Sequence, residues 1–215
     1  MTRAALVNKT RIKICGITSM AMAEVAVEAG ADAIGLVFID DSPRAVLPGA
    51  AYRIAASLPP FVSAVGVFCD PPDPELKAWP GRWVQLHGNE TEHQLRRVAQ
   101  TKRTVKGFRF DPDQVWRWDR CDHADALLID GSAGGRGSAF HHSDLAELMP
   151  RTHKPVILAG GLTPQNVGEA IRIVRPFGVD VSSGVEKSRG VKDPKLIRRF
   201  CEAVRKADAE LITDR

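Results

Sequence analysis

Eight short apolar runs alternate with helical patterns along almost the whole chain, and this alternation is the feature that most constrains the fold. The runs begin near Ile12, Ala33, Val62, Trp83, Val105, Ala126, Pro155 and Val179. Because a helical segment separates each run from the next, the strands must pair mostly in parallel. A doubly wound open sheet would alternate in the same way, but eight strands close most economically into a barrel. We therefore predict an α/β fold, a single (βα)8 TIM barrel over residues 1–215 with its core at about 11–207.

Two of the helical segments begin with recognisable capping residues, and a third segment is a poor helix former. In the seventh unit Thr163 stands at a helix N-cap position and Pro164 at the first helical position. Asp193 and Pro194 repeat this arrangement in the eighth unit. The segment 70–81 contains four prolines, which interrupt a helix. We expect the third helix to be short or missing.

Composition and charge exclude several classes of protein. The formal net charge of +4 is spread along the sequence, so it gives little indication of nucleic-acid binding. No apolar run approaches the roughly 18 residues of a membrane-spanning helix, and the first residues lack a secretory signal. The cysteines Cys15, Cys69, Cys121 and Cys201 lack the paired spacings of zinc sites or redox dithiols. We expect a cytoplasmic protein that binds neither nucleic acid nor a membrane, with the last three cysteines buried as small apolar side chains.

In a barrel of this kind the functional residues lie at the carboxyl ends of the strands and in the loops that follow them. The chain offers one thiol, one imidazole, one carboxyl group, two guanidinium groups and two loops of small residues at these positions. They are Cys15, Arg44, His87, Arg109, Asp130, Gly160, Gly161, Ser182, Ser183 and Gly184. This set contains no metal constellation, and the glycines after Asp130 do not match a dinucleotide fingerprint. We therefore expect neither a metal nor a nucleotide cofactor.

The loops after the seventh and eighth strands indicate the class of ligand. The sequence AGGL at 159–162 and the sequence SSGVE at 182–186 are rich in small residues, which let backbone N–H groups approach an anion. Phosphate groups bind at the loops after strands seven and eight in many barrels of this architecture. We expect the backbone N–H groups of Gly161 and of Ser183 or Gly184 to hold a phosphate.

A set of motifs gives the chain a specific family resemblance. The motifs are KICGIT at 13–18, GLVF followed by SPR at 35–44, VGVF at 65–68, QLHG at 85–88, LLID at 127–130 followed by GGRG, AGGL at 159–162 and VDVSSGVE at 179–186. In this order, from Arg11 to Pro194, they resemble phosphoribosylanthranilate isomerase of tryptophan biosynthesis. The chain departs from the family pattern at Arg136 and in the pair His141-His142 after Phe140.

The resemblance implies an Amadori rearrangement of N-(5-phosphoribosyl)anthranilate to 1-(2-carboxyphenylamino)-1-deoxyribulose 5-phosphate, without a cofactor. It implies that Cys15 is the general base, Asp130 the general acid and Arg44 the group that holds the anthranilate carboxylate. The residues expected to bind this small phosphosugar are Arg44, His87, Gly160, Gly161, Asp180, Ser182, Ser183 and Gly184. For His87 a supporting hydrogen bond is the simpler interpretation, and a proton carrier is the alternative. The oligomeric state stays open between monomer and homodimer.

Two other functions are compatible with the same fold. Another phosphosugar isomerase, such as the related enzyme of histidine biosynthesis, would share the phosphate loops, but that group has an aspartate where this chain has Cys15. A non-catalytic barrel that binds a phosphorylated ligand or nucleic acid would not require both Cys15 and Asp130. A fluorescence assay of substrate loss separates these possibilities.

The alternation of side chains also makes a prediction about the barrel interior. Lys13 lies on the same face as Cys15, and Asp180 on the same face as Ser182. The first and eighth strands are neighbours in a closed barrel, and a buried charge without a partner is costly. We therefore predict an ion pair between Lys13 and Asp180 inside the barrel.

Overall fold

The computed structural model describes residues 9–131 and 141–213, and eight of its strands form a closed parallel barrel in sequence order. The barrel strands are β1 (Arg11–Cys15), β2 (Ala33–Val37), β3 (Ser63–Phe68), β4 (Trp83–Leu86), β5 (Arg103–Arg109), β6 (Ala126–Asp130), β7 (Val156–Ala159) and β8 (Gly178–Val181). The predicted α/β barrel is confirmed and the open sheet is excluded, because β8 pairs with β1.

Helices cover the outside of the barrel. They are α1 (Met20–Glu28), α2 (Pro48–Ser57), α3 (Asp73–Ala78), α4 (Glu92–Ala99), α5 (Pro112–Asp119), α6 (His142–Leu148), α7 (Val167–Val174) and α8 (Pro194–Thr213). A small antiparallel pair, β9 (Glu186–Ser188) and β10 (Val191–Lys192), follows the eighth strand. None of the helices in the described residues is long and apolar enough to cross a membrane.

Side-chain alternation along each strand separates the outer core from the barrel interior. In β1, Ile12 and Ile14 are fully buried in the large core cluster between strands and helices. The intervening Lys13 and the terminal Cys15 face the interior instead. In β6 the same rule sends Ile129 outward and brings Asp130 to the inner side of the barrel mouth. Each large apolar side chain buried in the outer core contributes roughly 1.5–3 kcal/mol to folding.

Of the two helix starts predicted from the sequence, the one at Asp193 is confirmed and the one at Thr163 is not. The Asp193 carboxylate accepts hydrogen bonds from the backbone N–H groups of Lys195 (2.7 Å) and Leu196 (3.2 Å), as its predicted capping role requires. In the seventh unit, however, regular helix begins only at Val167, and the four residues 163–166 form a turn. The third helix has six residues and is short, as predicted.

The cysteines are all free, and one of them differs from expectation. Cys121 and Cys201 are buried, as predicted. Cys69 is exposed, so its prediction as a buried apolar residue was wrong. Cys69 directly follows β3 at the barrel mouth, where the chain turns outward toward the prolines of segment 70–81. The departure from the family pattern at Arg136 lies outside the described residues, whereas His141 and His142 stand at the start of α6.

Candidate active site

Cys15 closes β1 with its side chain turned into the barrel, where the residue is 7% exposed. Its register partner in β2 is Gly35. A Cβ atom at Gly35 would lie 2.8 Å from Cys15 Sγ and 3.1 Å from Lys13 Nζ, so glycine leaves the space that both groups occupy. The thiol and the ammonium group are therefore close neighbours at the end of β1.

The predicted ion pair is present in the barrel interior. Lys13 Nζ donates a 2.7 Å hydrogen bond to Asp180 Oδ1, and both residues are buried. Burial by itself lowers the pKa of Lys13, but attraction by Asp180 and by Cys15 leaves that pKa above its usual value. Burial raises the pKa of the Cys15 thiol, the Lys13 ammonium opposes this rise, and Asp180 adds to it. Lys13 is therefore charged, and Cys15 is mostly a thiol at neutral pH.

Asp130 closes β6, which lies three positions from β1 around the barrel by way of β7 and β8. His87 follows β4, and its ring lies over Gly107 of β5, where a Cβ atom would lie 2.5 Å from Nδ1. Gln85 Nε2 lies 2.9 Å from the same nitrogen. Burial lowers the pKa of His87, although the nearby carboxylates of Asp130 and Asp180 oppose this effect. A neutral imidazole held in this way fits the supporting role better than that of a proton carrier.

The two small-residue loops approach each other closely. Gly160 and Gly161 have left-handed backbone conformations, with φ of 88° and 64°. A Cβ atom at Gly184 would overlap the carbonyl oxygen of Leu162, so the loop after β8 packs directly on the loop after β7. A Cβ atom at Gly161 would meet no atom within 4 Å, which leaves open space in front of that residue. Ser183 begins a single turn of 3-10 helix within the second loop.

An asparagine fixes the first of these loops. Asn166 Nδ2 donates to the carbonyl oxygen of Gly161 at 2.9 Å, and Asn166 Oδ1 accepts from the backbone N–H of Thr163 at 2.7 Å. These bonds explain why residues 163–166 form a turn before α7 begins. Sequence reasoning missed this residue, although asparagine at a helix start is a capping signal.

Ser182 connects the second loop to Cys15. Its hydroxyl lies 3.2 Å from the backbone carbonyl oxygen of Cys15, to which it donates. Lys192 Nζ, which is buried, donates to the Ser182 carbonyl oxygen at 2.9 Å. The loop after β8 is therefore tied both to the end of β1 and to β10.

Arg44 makes a contact that the sequence did not predict. Its Nε and Nη2 atoms donate to Glu186 Oε1 and Oε2 at 2.7 and 2.9 Å, a two-pronged ion pair. Lys192 Nζ and the backbone N–H of Gly190 also donate to this carboxylate, at 2.8 and 3.0 Å. Burial raises the pKa of Glu186, but these donors lower it by more and leave the pKa at about 2. Although Glu186 belongs to the VDVSSGVE motif, its partner lies 142 residues away in the sequence.

A second buried ion pair supports the loop that carries His87. Lys106 Nζ donates to Glu90 Oε2 at 2.7 Å and to the carbonyl oxygen of Gly88 at 2.8 Å. The Glu90 carboxylate in turn accepts from the backbone N–H of Gly88 at 3.0 Å. Both charged side chains are 2% exposed. Nothing in the alternation of strands predicts this pair, because Glu90 lies in a loop.

The other predicted groups lie around Cys15 and Asp130. Asp180 and Ser182 lie beside Cys15 through the contacts above, and Arg44 packs on Gly16, the next residue along the chain. Arg109 ends β5 as the register partner of Asp130 and is exposed. Within the described part of the chain, no group of three or more His, Cys, Asp or Glu residues is placed to hold a metal ion.

Comparisons with known proteins identify the family of this chain. A family model described as N-(5'phosphoribosyl)anthranilate (PRA) isomerase matches residues 12–203. The N-(5'-phosphoribosyl)anthranilate isomerase of Leptothrix cholodnii is 45% identical over 213 residues, covering 95% of this chain and 94% of that protein. The crystal structure of phosphoribosyl anthranilate isomerase from Thermotoga maritima has a TM-score of 0.82 at 36% identity, covering 92% of this chain and 99% of that one. A phosphoribosyl anthranilate isomerase in complex with reduced 1-(o-carboxyphenylamino)-1-deoxyribulose 5-phosphate has a TM-score of 0.81, with the same identity and coverage. The chain belongs to the N-(5'-phosphoribosyl)anthranilate isomerase family.

Proposed function

We propose that this chain isomerises N-(5'-phosphoribosyl)anthranilate to 1-(2-carboxyphenylamino)-1-deoxyribulose 5-phosphate, with Asp130 as general acid and Cys15 as general base. The chain belongs to the family of this isomerase, and the two residues to which we assign the proton transfers, Asp130 and Cys15, end β6 and β1. One proton donor and one proton acceptor suffice for the chemistry, so the proposal includes no cofactor.

The first step opens the sugar ring. Asp130 delivers a proton to the ring oxygen, the bond from that oxygen to C1 breaks, and the anilino nitrogen supplies the electron pair that forms a C1 iminium. The ring oxygen becomes the free hydroxyl on C4. Asp130 makes this transfer from its protonated form and is left as the carboxylate.

The second step moves hydrogen between carbons. Cys15 as a thiolate removes the proton from C2, and the electron pair of that bond neutralises the iminium to give an enolamine. The enolamine becomes the ketone when C1 takes up a proton from the Cys15 thiol and the C2 hydroxyl gives one up to the Asp130 carboxylate, which returns both groups to their starting forms. Lys13 favours the thiolate electrostatically, because its ammonium lowers the free energy of a negative charge on Sγ.

Binding of the substrate uses its two anionic ends. The phosphate would lie against the backbone N–H groups of Gly161 and of Ser183 or Gly184, in the open space in front of Gly161. The anthranilate carboxylate would lie on the edge of the Arg44 guanidinium that Glu186 leaves uncovered. His87 would support the sugar through hydrogen bonds.

The observation that carries the assignment is the Ser182 hydroxyl bond to the Cys15 carbonyl oxygen, 3.2 Å long. This hydrogen bond fixes the proposed phosphate loop to β1, the strand that ends in the proposed base. A substrate anchored at its phosphate by that loop would have its sugar carbons within reach of the thiol.

The direct test follows loss of the substrate's fluorescence with the purified protein. We expect turnover by the wild type, a reduction of about 10²- to 10⁴-fold in Cys15→Ala, and little change in Cys69→Ala. Cys69 is the matched control, because it is an exposed thiol at the same end of the barrel. Absence of turnover by the wild-type protein would overturn the proposal.

The proposal also covers the compartment in which the enzyme works and its oligomeric state. Four free cysteines fit a reducing compartment, and we place the enzyme in the cytoplasm. Solved relatives include monomers generated from the dimeric enzyme of Thermotoga maritima, so both monomer and homodimer are states open to this fold. Sedimentation of the purified chain distinguishes them.

A further inference from the structure

The Arg44 guanidinium is fixed by one of its edges only. Its Nε and Nη2 atoms bind the two oxygens of Glu186. Among the described residues, every hydrogen bond that this guanidinium donates is accepted by that carboxylate. A guanidinium carries five N–H donors in a planar fork, so the edge formed by Nη1 and the second Nη2 hydrogen is available to another planar anion.

The stem of Arg44 is fixed as well. Gly16, which follows Cys15, has φ of 77°, and a Cβ atom there would lie 2.7 Å from Arg44 Cδ and 3.0 Å from Arg44 Cβ. The arginine therefore packs across the backbone beside the thiol. With the stem held on Gly16 and one edge held by Glu186, the direction of the other edge is determined.

The charges around Glu186 do not cancel. Its single negative charge contacts two positive ones, those of Arg44 and Lys192, at 2.7 and 2.8 Å. The cluster keeps a net charge of +1, and its carboxylate is 4% exposed. A buried cluster of this kind attracts an anion, while the geometry of the ion pair decides where the anion can bind.

We infer that Glu186 is a positioning residue that turns the open edge of Arg44 toward the barrel mouth and thereby gives the site its specificity for a substrate with an aromatic carboxylate. This inference rests on the role proposed above for Arg44. Glu186 itself acts through the arginine, because both of its oxygens are occupied by protein donors. A flexible arginine loses rotamer freedom on binding an anion, and an arginine that is already oriented loses less.

The test compares two stable ligands. One is reduced 1-(o-carboxyphenylamino)-1-deoxyribulose 5-phosphate, and the other is the same compound without its carboxylate. The measured quantity is the ratio of the two dissociation constants, since changes in folding or in the phosphate loop alter both constants alike. We expect the wild type to prefer the carboxylate by about 10- to 100-fold, the range of a charge-assisted pair of hydrogen bonds.

The principal variant is Glu186→Gln/Lys192→Met, which removes one charge of each sign and keeps the net charge of the cluster. Glutamine offers Arg44 a single acceptor oxygen, so the two-pronged pair is lost. We expect the preference for the carboxylate to fall about tenfold in this variant and less than threefold in the matched control Lys192→Met. In Glu186→Gln alone, which serves if the double variant does not fold, the added positive charge would by itself favour the carboxylate. A weaker preference for the carboxylate in this variant would therefore show that Arg44 has lost its orientation.

Four results overturn the inference. Equal weakening of both ligands in the Glu186 variants would mean that the residue is only structural. A preference that rises in Glu186→Gln would mean that charge, not orientation, governs binding. A wild-type protein that binds both ligands equally would overturn the proposed role of Arg44 together with this inference, whereas a preference lost in Arg44→Lys but kept in the Glu186 variants would overturn the inference alone.

Discussion

Lys13 Nζ lies 2.7 Å from Asp180 Oδ1 inside the barrel, and the two residues are register partners in β1 and β8. The ion pair links the first and last strands of the barrel. It also sets the environment of Cys15, because the ammonium lowers the pKa of the thiol and the carboxylate raises it. Stability and chemistry therefore depend on the same ion pair.

Loss of one partner should destabilise the protein strongly. Lys13→Met leaves the Asp180 carboxylate buried without its cation, and we expect a reduction of about 3–5 kcal/mol in the free energy of unfolding. Lys13→Met/Asp180→Asn should recover much of this loss, because no uncompensated charge remains. Urea unfolding of the wild type and the two variants measures both effects. Equal stability of wild type and Lys13→Met would contradict the buried pair.

The pH dependence of the rate should report the Cys15 thiol. Burial raises its pKa despite the opposing charge of Lys13. A general base acts in its deprotonated form and a general acid in its protonated form, so in the wild type the two requirements oppose each other as the pH rises. In Asp130→Asn only the base titrates, and kcat/KM should rise with pH about tenfold per unit below the pKa of the thiol. The rise should continue beyond the ordinary thiol value of about 8.5. A plateau in the Asp130→Asn profile near pH 7 would show that another group is the base.

Acid stability should depend on Glu186. Its folded pKa of about 2 is below the usual value, so its ion pairs stabilise the fold above the unfolded pKa and this contribution disappears as the pH falls through the folded one. The shift corresponds to about 3 kcal/mol at neutral pH. Glu186→Gln should lose about that amount at pH 7, and the difference from wild type should shrink between about pH 4.5 and pH 2. Urea unfolding at several pH values tests this, and a difference that is independent of pH would contradict it.

The sequence predicts a contact in this site only where the alternation of side chains along neighbouring strands determines it. The Lys13–Asp180 pair was predictable, because both residues alternate inward on strands that must be neighbours. The partner of Arg44 was not, since Glu186 lies in a small hairpin whose position relative to β2 is a property of the tertiary fold. The late start of the seventh helix has a local cause instead. Thr163 has the chemistry of an N-cap, but the Asn166 side chain bonds to Gly161 and Thr163, so residues 163–166 form a turn and regular helix begins at Val167.

The loop after β7 can be tested with a pair of glycines that both have positive φ and open space around the Cβ position. Gly161 and Gly30 both have positive φ, 64° and 94°, and a Cβ atom at either would meet nothing within 4 Å. Alanine at each should therefore cost roughly 1–2 kcal/mol of stability from the left-handed conformation alone. Only Gly161→Ala should also raise the KM, because its methyl group would occupy the space proposed for the phosphate. Steady-state kinetics with Gly30→Ala as the control decides this, and an unchanged KM in Gly161→Ala would argue against the phosphate site.

The general acid is tested by Asp130→Asn, which nearly preserves the size of the side chain and removes its ability to donate a carboxylic proton. Since positioned acid catalysis contributes about 10²- to 10⁴-fold, we expect turnover to fall by that factor while KM changes little. Asp122→Asn is the matched control, because Asp122 is exposed and lies before β6, at the opposite end of the barrel from Asp130. It makes the same change in charge and should leave turnover unaltered. If Asp130→Asn kept more than about half of the wild-type turnover, less than about 0.5 kcal/mol of the barrier would depend on the residue, and the proton for ring opening would have to come from another group.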